Sequence, residues 1–327
     1  MAPVIERIVE DVEFGEGPHW DIQTQSLYFV DYLTKSINRY EPATKSHFKA
    51  RLDDYSSFII PVEGEPNKFV VSVGKDIAII TWDGVKENIE DIETLVKVDN
   101  VDNKNRLNDG KCDVLGRLWT GLMRTDIVEV VPTSPDKNEQ NKTKFWELVP
   151  NSVNQSESVT GSFYSYGDGT LKKHFDQVDI SNGIAWNKDN TRMFFIDSMK
   201  NRVDQFDFEV KSGELSNRRV LFSFTKNQIE GMPDGMTIDD DDNLWIAVFR
   251  GSKIIKISTS VPENILDTIN LPAKQVTSAA WGGKGLDELY VTTGIFDDTS
   301  LKPPVNGSLY KITGLKARGL PMYKFRL

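Results

Sequence analysis

Six oxygen-bearing positions recur at one phase of this sequence: Glu16, Ser57, Asn108, Asn182, Asp234 and Thr277 or Ser278. Each opens a short segment that a second, strongly apolar segment follows. If those segments are equivalent strands around one axis, the side chains meet at one height. Glu16, Asn182 and Asp234 are followed directly by Gly, whereas Asp109 stands between Asn108 and Gly110. Two carboxylates among amide and hydroxyl oxygens suit one hard divalent cation, because the carboxylates neutralise the ion while amide and water oxygens complete its shell. Calcium fits this donor set first; zinc, manganese and magnesium stay open, since mixed carboxylate and water sites accept several ions. Taken singly, Asn-Gly and Asp-Gly are ordinary turn dipeptides. Their convergence at one phase is what points to a site.

The elements that must bring them together are strands. Short runs rich in Val, Ile, Phe, Tyr and Trp, separated by Gly, Asp and Asn, recur throughout, and amphipathic helical periodicity is scarce. A paired pattern appears as GPHWD then SLYFVD (17–31), SSFII then KFVVSVG (56–74), and NDGKCD then RLWTGLM (108–123). It returns as NGIAW then MFFIDS (182–198), DGMTID then NLWIAVF (234–249), and TSAAW then ELYVTTG (277–294). Each pair is followed by segments able to supply two outer strands, such as SINRYEP and HFKARL in the first copy. The expected fold is therefore all-β, a six-bladed β-propeller with four-stranded blades, at the roughly 40 to 50 residues per repeat such blades need.

The third interval is longer because it holds a polar stretch at 125–161, expected as an insertion within blade three of a single domain spanning 1–327. VIERIVE (4–10) is expected to join GSLYKITG (307–314) in the last blade, closing the ring without an open edge. Two β-sandwiches would need a linker near the middle, and the only long polar stretch interrupts a repeat instead.

Other chemistry finds less support. His19, His47 and His174 lie in no metal or nucleophile motif, and His19 alternates away from Glu16, which suggests packing or polar support. There is no G-x-S-x-G elbow, and Cys112 carries no nucleophile signature, so covalent catalysis by Ser or Cys is disfavoured. Trp20, Trp119, Trp186, Trp245 and Trp281 recur in the inner or second strands and are expected to fill the spaces between blades. The run DDDD at 239–242 lacks EF-hand spacing and reads as a solvated turn.

Charge and composition narrow the partners. Lys and Arg number 39 against 49 Asp and Glu, a formal charge of -10, which disfavours nucleic acid and suits a cation. A single cysteine rules out an intramolecular disulfide framework and fits a reducing compartment. The N-terminal segment lacks the features of a signal peptide, and no apolar run approaches a membrane span. A cytoplasmic monomer acting on a small molecule is expected, with no membrane partner. The sequons at Asn141, Asn154 and Asn306 read as chance matches.

The segments GEGPHWD (15–21), RLNDGKCD (106–113), VDISNGIAW (178–186), IDS (196–198), MPDGMTID (232–239), LWIAVFRG (244–251) and YKITGLKARG (310–319) together resemble the senescence marker protein (regucalcin), gluconolactonase and luciferin-regenerating enzyme family. SFIIP (57–61) and ITWDG (80–84) bring the chain nearest the insect members. The resemblance implies a six-bladed propeller with calcium, zinc or another divalent ion at its centre. Its metal ligands correspond to Glu16, Asn182 and Asp234, and its substrate contacts to Arg106, Asn108 and Asp126. Leu122 and Arg124 stand where the family pattern has smaller residues. The expected activity is metal-dependent hydrolysis of small lactones such as gluconolactone, with Asp234 as catalytic residue activating water. Two rivals are an enzyme of luciferin-regenerating type acting on a heterocyclic or nitrile compound, and a non-enzymatic calcium-binding regulator. One axial site with few carboxylates makes a poor calcium buffer.

Overall fold

A computed structural model describes residues 2–98, 105–124, 128–133, 145–150, 161–295 and 307–327. The chain forms a β-propeller of six four-stranded antiparallel sheets. Blade one comprises Gly15–Asp21, Ser26–Asp31, Ser36–Glu41 and Ser46–Arg51. The innermost strands of blades two to five are Ile59–Pro61, Asn105–Cys112, Ser181–Trp186 and Met232–Ile238. Blade six holds Gln275–Gly282, Glu288–Gly294 and Leu309–Thr313, and its outer strand is the N-terminal Val4–Val9. Val4 pairs with Thr313 and Arg7 with Tyr310, so the two ends of the chain share one sheet.

Hydrophobicity falls with distance from the axis. The inner strands of blades four and six are buried along their whole length, while the outer strands Asp91–Lys97 and Ile265–Asn270 are mostly exposed. This gradient follows from geometry: an inner strand has blades on both faces, an outer strand only at its base. The core is accordingly six wedges. Six buried apolar clusters each fill one space between neighbouring blades. Aromatic rings span these spaces as expected. Trp245 meets Trp281 edge-on at 5.1 Å between blades five and six, and Trp20 stacks on Tyr290 at 5.2 Å between blades one and six.

Within blade three, a hairpin of Val128–Thr133 and Phe145–Pro150 comes between the second strand, Leu118–Arg124, and the third, Gly161–Gly167. The rest of the expected insertion lies outside the described residues. Past the last strand, the tail crosses the far face, with Gly319 bridging Asp239, Tyr323 bridging Cys112 and Phe325 bridging Val62. Among the described residues no helix is long and apolar enough to cross a membrane.

One expectation needs correction. The DDDD turn is not uniformly solvated: Asp239 is 0 % exposed, accepting from Trp245 Nε1 at 2.9 Å and from the Asn243 amide at 2.8 Å, and pairing with Lys256 Nζ at 2.8 Å. Blade three repeats the device, with buried Asp113 accepting from Trp119 Nε1 at 2.8 Å and Arg117 Nε at 2.8 Å. An acidic residue after the inner strand thus ties its hairpin to the tryptophan of the second strand. Removing it strands a buried indole N–H and a half-buried ammonium, so Asp239→Ala should destabilise by about 3 kcal/mol. Exposed Asp241→Ala should stay within about 0.5 kcal/mol in the same denaturant titration.

Candidate metal centre

The polar positions do not sit in turns. Glu16, Asn108, Asn182 and Asp234 lie inside inner strands, each at a break in the pairing register. Such bulges re-aim a side chain while keeping the strand in its sheet. The following glycine is needed for closeness more than for turning. A Cβ on Gly235 would meet Ser278 Oγ at 2.1 Å, and one on Gly17, whose φ is +53°, would meet Ser57 O at 2.5 Å. The glycines let one blade press against the next, and the bulges aim the preceding side chains at the axis.

Glu16 and Asp234 come from blades one and five, yet each carboxyl is held well above its ordinary pKa. For Glu16 the causes are burial, then the charges of Asp234 and Asp109, opposed by the Gly17 amide and Arg106. For Asp234 burial dominates; a hydrogen bond from the Asn182 side chain opposes it, the Asp109 charge adds to it, and Arg106 again pulls down. Asn182 Nδ2 also donates to Ser198 Oγ at 3.0 Å, which fixes the amide's orientation. The three expected ligands therefore share one electrostatic environment. Its donors fit a divalent ion: acidic and amide oxygens surround a point where negative charge is concentrated and only partly balanced by the protein. Among the described residues, no group of three or more His, Cys, Asp and Glu side chains is arranged as a metal cage. A cation held here would rely on two carboxylates, one amide and water.

Arg106 lies beside this centre. Its guanidinium donates to Asn108 Oδ1 at 2.8 Å and to Leu107 O at 2.9 Å, and stands 4.3 Å from the Tyr32 ring centroid. Its Nε is buried without a hydrogen-bond partner, a donor left for something not in the protein. Asn108 is more committed than the sequence suggested, because its Nδ2 donates to Ser181 O at 2.7 Å. One lone pair and one amide hydrogen remain for a ligand. Asp126 lies outside the described residues. Leu122 is fully packed in the interface of blades two and three and takes no part in the axial polar column.

Three features escaped sequence reasoning. Asp109 is a third buried carboxyl, raised by burial, whose charge reaches both Glu16 and Asp234. It was visible in NDG, but its positive φ of +47° and inward placement were not. Lys111 crosses the axis to donate to Met236 O at 2.8 Å. Tyr32 stacks on Tyr55 at 4.6 Å and meets Phe14 edge-on at 6.3 Å, giving the centre an aromatic flank.

The remaining candidates behave as bystanders. His19 is buried, and desolvation lowers its pKa to about 3, so it stays neutral at physiological pH. Burial raises the Cys112 thiol well above its usual pKa, which removes the thiolate a nucleophile needs. A cavity of about 50 Å³ near Lys111, Trp186, Asn190 and Tyr323 lies at the opposite ends of the inner strands, under the C-terminal tail. It has room for a few waters and is separate from the carboxylates.

Known proteins share the fold that carries these residues. Regucalcin of Xenopus laevis is 33 % identical over 317 residues, covering 96 % of this chain and 95 % of its own. The solved structure of a luciferin-regenerating enzyme is 44 % identical, covers 100 % of both chains and superposes with a TM-score of 0.87. A calcium-binding protein, regucalcin, from Agrobacterium tumefaciens shares the fold at a TM-score of 0.80 and 21 % identity, covering 98 % of this chain and 97 % of its own. The family model described as the SMP-30/Gluconolactonase/LRE-like region matches residues 14–295, from the first inner strand to the end of the last blade's second strand, and the chain belongs to that family.

Proposed function

We propose that this protein is a divalent-metal-dependent hydrolase of small lactones, with Glu16, Asn182 and Asp234 holding the ion. The observation that carries the reading is that Glu16, Asn182 and Asp234 stand at equivalent bulges of the inner strands of three blades, with Asn182 hydrogen-bonded to Asp234. When bound, calcium or zinc supplies charge neutralisation and Lewis-acid polarisation of a carbonyl. Asp234 accepts the proton of the attacking water and returns it to the ring oxygen as the acyl C–O bond breaks. Arg106 orients the carbonyl and stabilises the charge that develops on its oxygen, with the unpartnered Nε available as donor. Asn108 takes a substrate hydroxyl through its remaining valences, and Asp126 is proposed as a further substrate contact.

One observation favours a second reading, an enzyme of luciferin-regenerating type acting on a flat heterocyclic or nitrile compound. Tyr32, packed between Arg106 and Tyr55 with Phe14 at its edge, forms an aromatic flank beside the reacting groups. A polyhydroxylated lactone has little use for such a surface.

Chelation should abolish lactone hydrolysis, and calcium or zinc should restore it. Asp234→Ala should lower turnover about 10³-fold and weaken cation binding. Arg106→Ala should keep cation binding in a calorimetric titration and lose about 10²-fold in turnover. A substrate series should separate the two readings: Tyr32→Ala should raise KM for aryl-bearing substrates about tenfold and leave gluconolactone unchanged.

The raised carboxyls also set a pH dependence. Without a cation, the folded protein keeps protons on Glu16 and Asp234 at pH values where the unfolded chain has released them. Over that interval their contribution to stability falls as pH rises. Tm in chelator should therefore fall, relative to Asp234→Asn, as pH rises above the ordinary carboxylate range of about 4. Saturating calcium should remove the difference.

A further inference from the structure

The six polar positions facing the axis divide into two kinds. Three reach across to the next blade's backbone: Ser57 Oγ to Leu107 O at 3.1 Å, Asn108 Nδ2 to Ser181 O at 2.7 Å, and Thr277 Oγ1 to Gly15 O at 2.6 Å. In every case the acceptor is the residue immediately before the equivalent position of the next blade. Leu107 precedes Asn108, Ser181 precedes Asn182, and Gly15 precedes Glu16. The other three positions are Glu16, Asn182 and Asp234, the residues assigned to the cation.

We infer that Thr277 is a positioning residue of the cation site, its hydroxyl latching the Gly15 carbonyl so that Glu16 stays aimed at the axis. This rests on the cation reading above. Glu16 stands between two glycines, the least restrained backbone neighbours available. Upstream the chain is tied down as far as Phe14, since Asp31 accepts from the amides of Glu13 and Phe14 at 2.9 Å each. The Gly15 carbonyl is the next fixed point. Thr277 is 0 % exposed, and its hydroxyl is also within 2.9 Å of the Thr292 hydroxyl, so the latch is itself held in place. Gly15 lies flat against Thr292, where an added Cβ would meet that residue's Cβ at 3.1 Å.

The latch matters because of what it prevents. Between two glycines, an unrestrained Glu16 is free to swing away from the axis. Holding its backbone in place before an ion arrives removes an ordering step from binding. Asn108 does the same for Asn182 through Ser181 O, while Ser57 holds Leu107, which leads to no assigned cation ligand. Latches of one chemistry therefore differ in what they support.

The test is calorimetric titration of the full chain with Ca²⁺ and, separately, Zn²⁺. Thr277→Val keeps the shape and removes the hydroxyl, and should weaken cation binding about tenfold, close to the full worth of one buried hydrogen bond. Thr277→Ser restores the donor and should return to within about twofold of wild type. Ser57→Ala loses a comparable latch and should bind the cation as wild type does, whatever its effect on Tm. Thr277→Ala carries the same measurement if valine is not accepted in the packed space. The inference is overturned if Thr277→Val binds as tightly as wild type, or if Ser57→Ala weakens binding equally, since the latches would then be general staples. If wild type and Asp234→Ala titrate alike, the cation site itself fails and the latch with it. Loss in Asp234→Ala with none in the Thr277 variants removes the latch alone.

Discussion

The repulsion between Glu16 and Asp234 is the constraint around which the rest of this molecule is arranged. Burial raises both acids and the Asp234 charge adds to the rise at Glu16, a liability in an ordinary core, where unpaired charge costs several kcal/mol. Here they sit on the axis of a ring, and neither can retreat without moving a strand wedged between two blades. Arg106 reaches both electrostatically and neutralises neither, because its guanidinium is committed to Asn108, Leu107 and the Tyr32 face. Under the proposed function, a divalent ion would supply the missing positive charge.

Ring closure makes this affordable. Pairing Val4–Val9 with Leu309–Thr313 joins the chain ends in one blade, so outward relaxation at the axis must be transmitted through all six interfaces. Those interfaces are dry: one buried apolar cluster fills each, and the tryptophans cross them. Stability thus resides in the wedges and chemistry at their narrow ends, an arrangement in which pocket walls can vary while the ion cradle persists. The aromatic flank of Phe14, Tyr32 and Tyr55 is such a wall, built from the approach to one inner strand and from loops of blades one and two.

The two ends of the axis are treated differently. At the end bearing Glu16 and Asp234, polar side chains face one another, and Arg106 Nε and Ser181 Oγ are among the buried polar atoms without a hydrogen-bond partner. At the other, Asp113 and Asp239 are each fully buried and fully engaged by tryptophan, backbone and basic partners, and the C-terminal tail covers the opening. Acidic residues of the same type therefore do opposite things. The distinction lies in whether a protein cation pairs with them: Arg117 and Lys256 do so at the closed end, while at the open end Arg106 acts on Glu16 and Asp234 only through its field.

The sequence alone determined the architecture and the phase of the site. Blade number, the closing strand and the axial column from Glu16 to Thr277 were legible because strand patterning is local and repeats expose equivalent positions. The column could not be divided from sequence. Glu16, Asn108 and Thr277 look interchangeable as oxygen donors, and only the folded ring shows that Asn108 and Thr277 reach carbonyls of the next blade while Glu16 meets only the amide of its own neighbour, Gly17. Asp109, Lys111 and Tyr32 were unreadable for the same reason. Their roles depend on distances between blades far apart in the chain, set by how closely glycines let those blades approach, and no local pattern encodes that spacing.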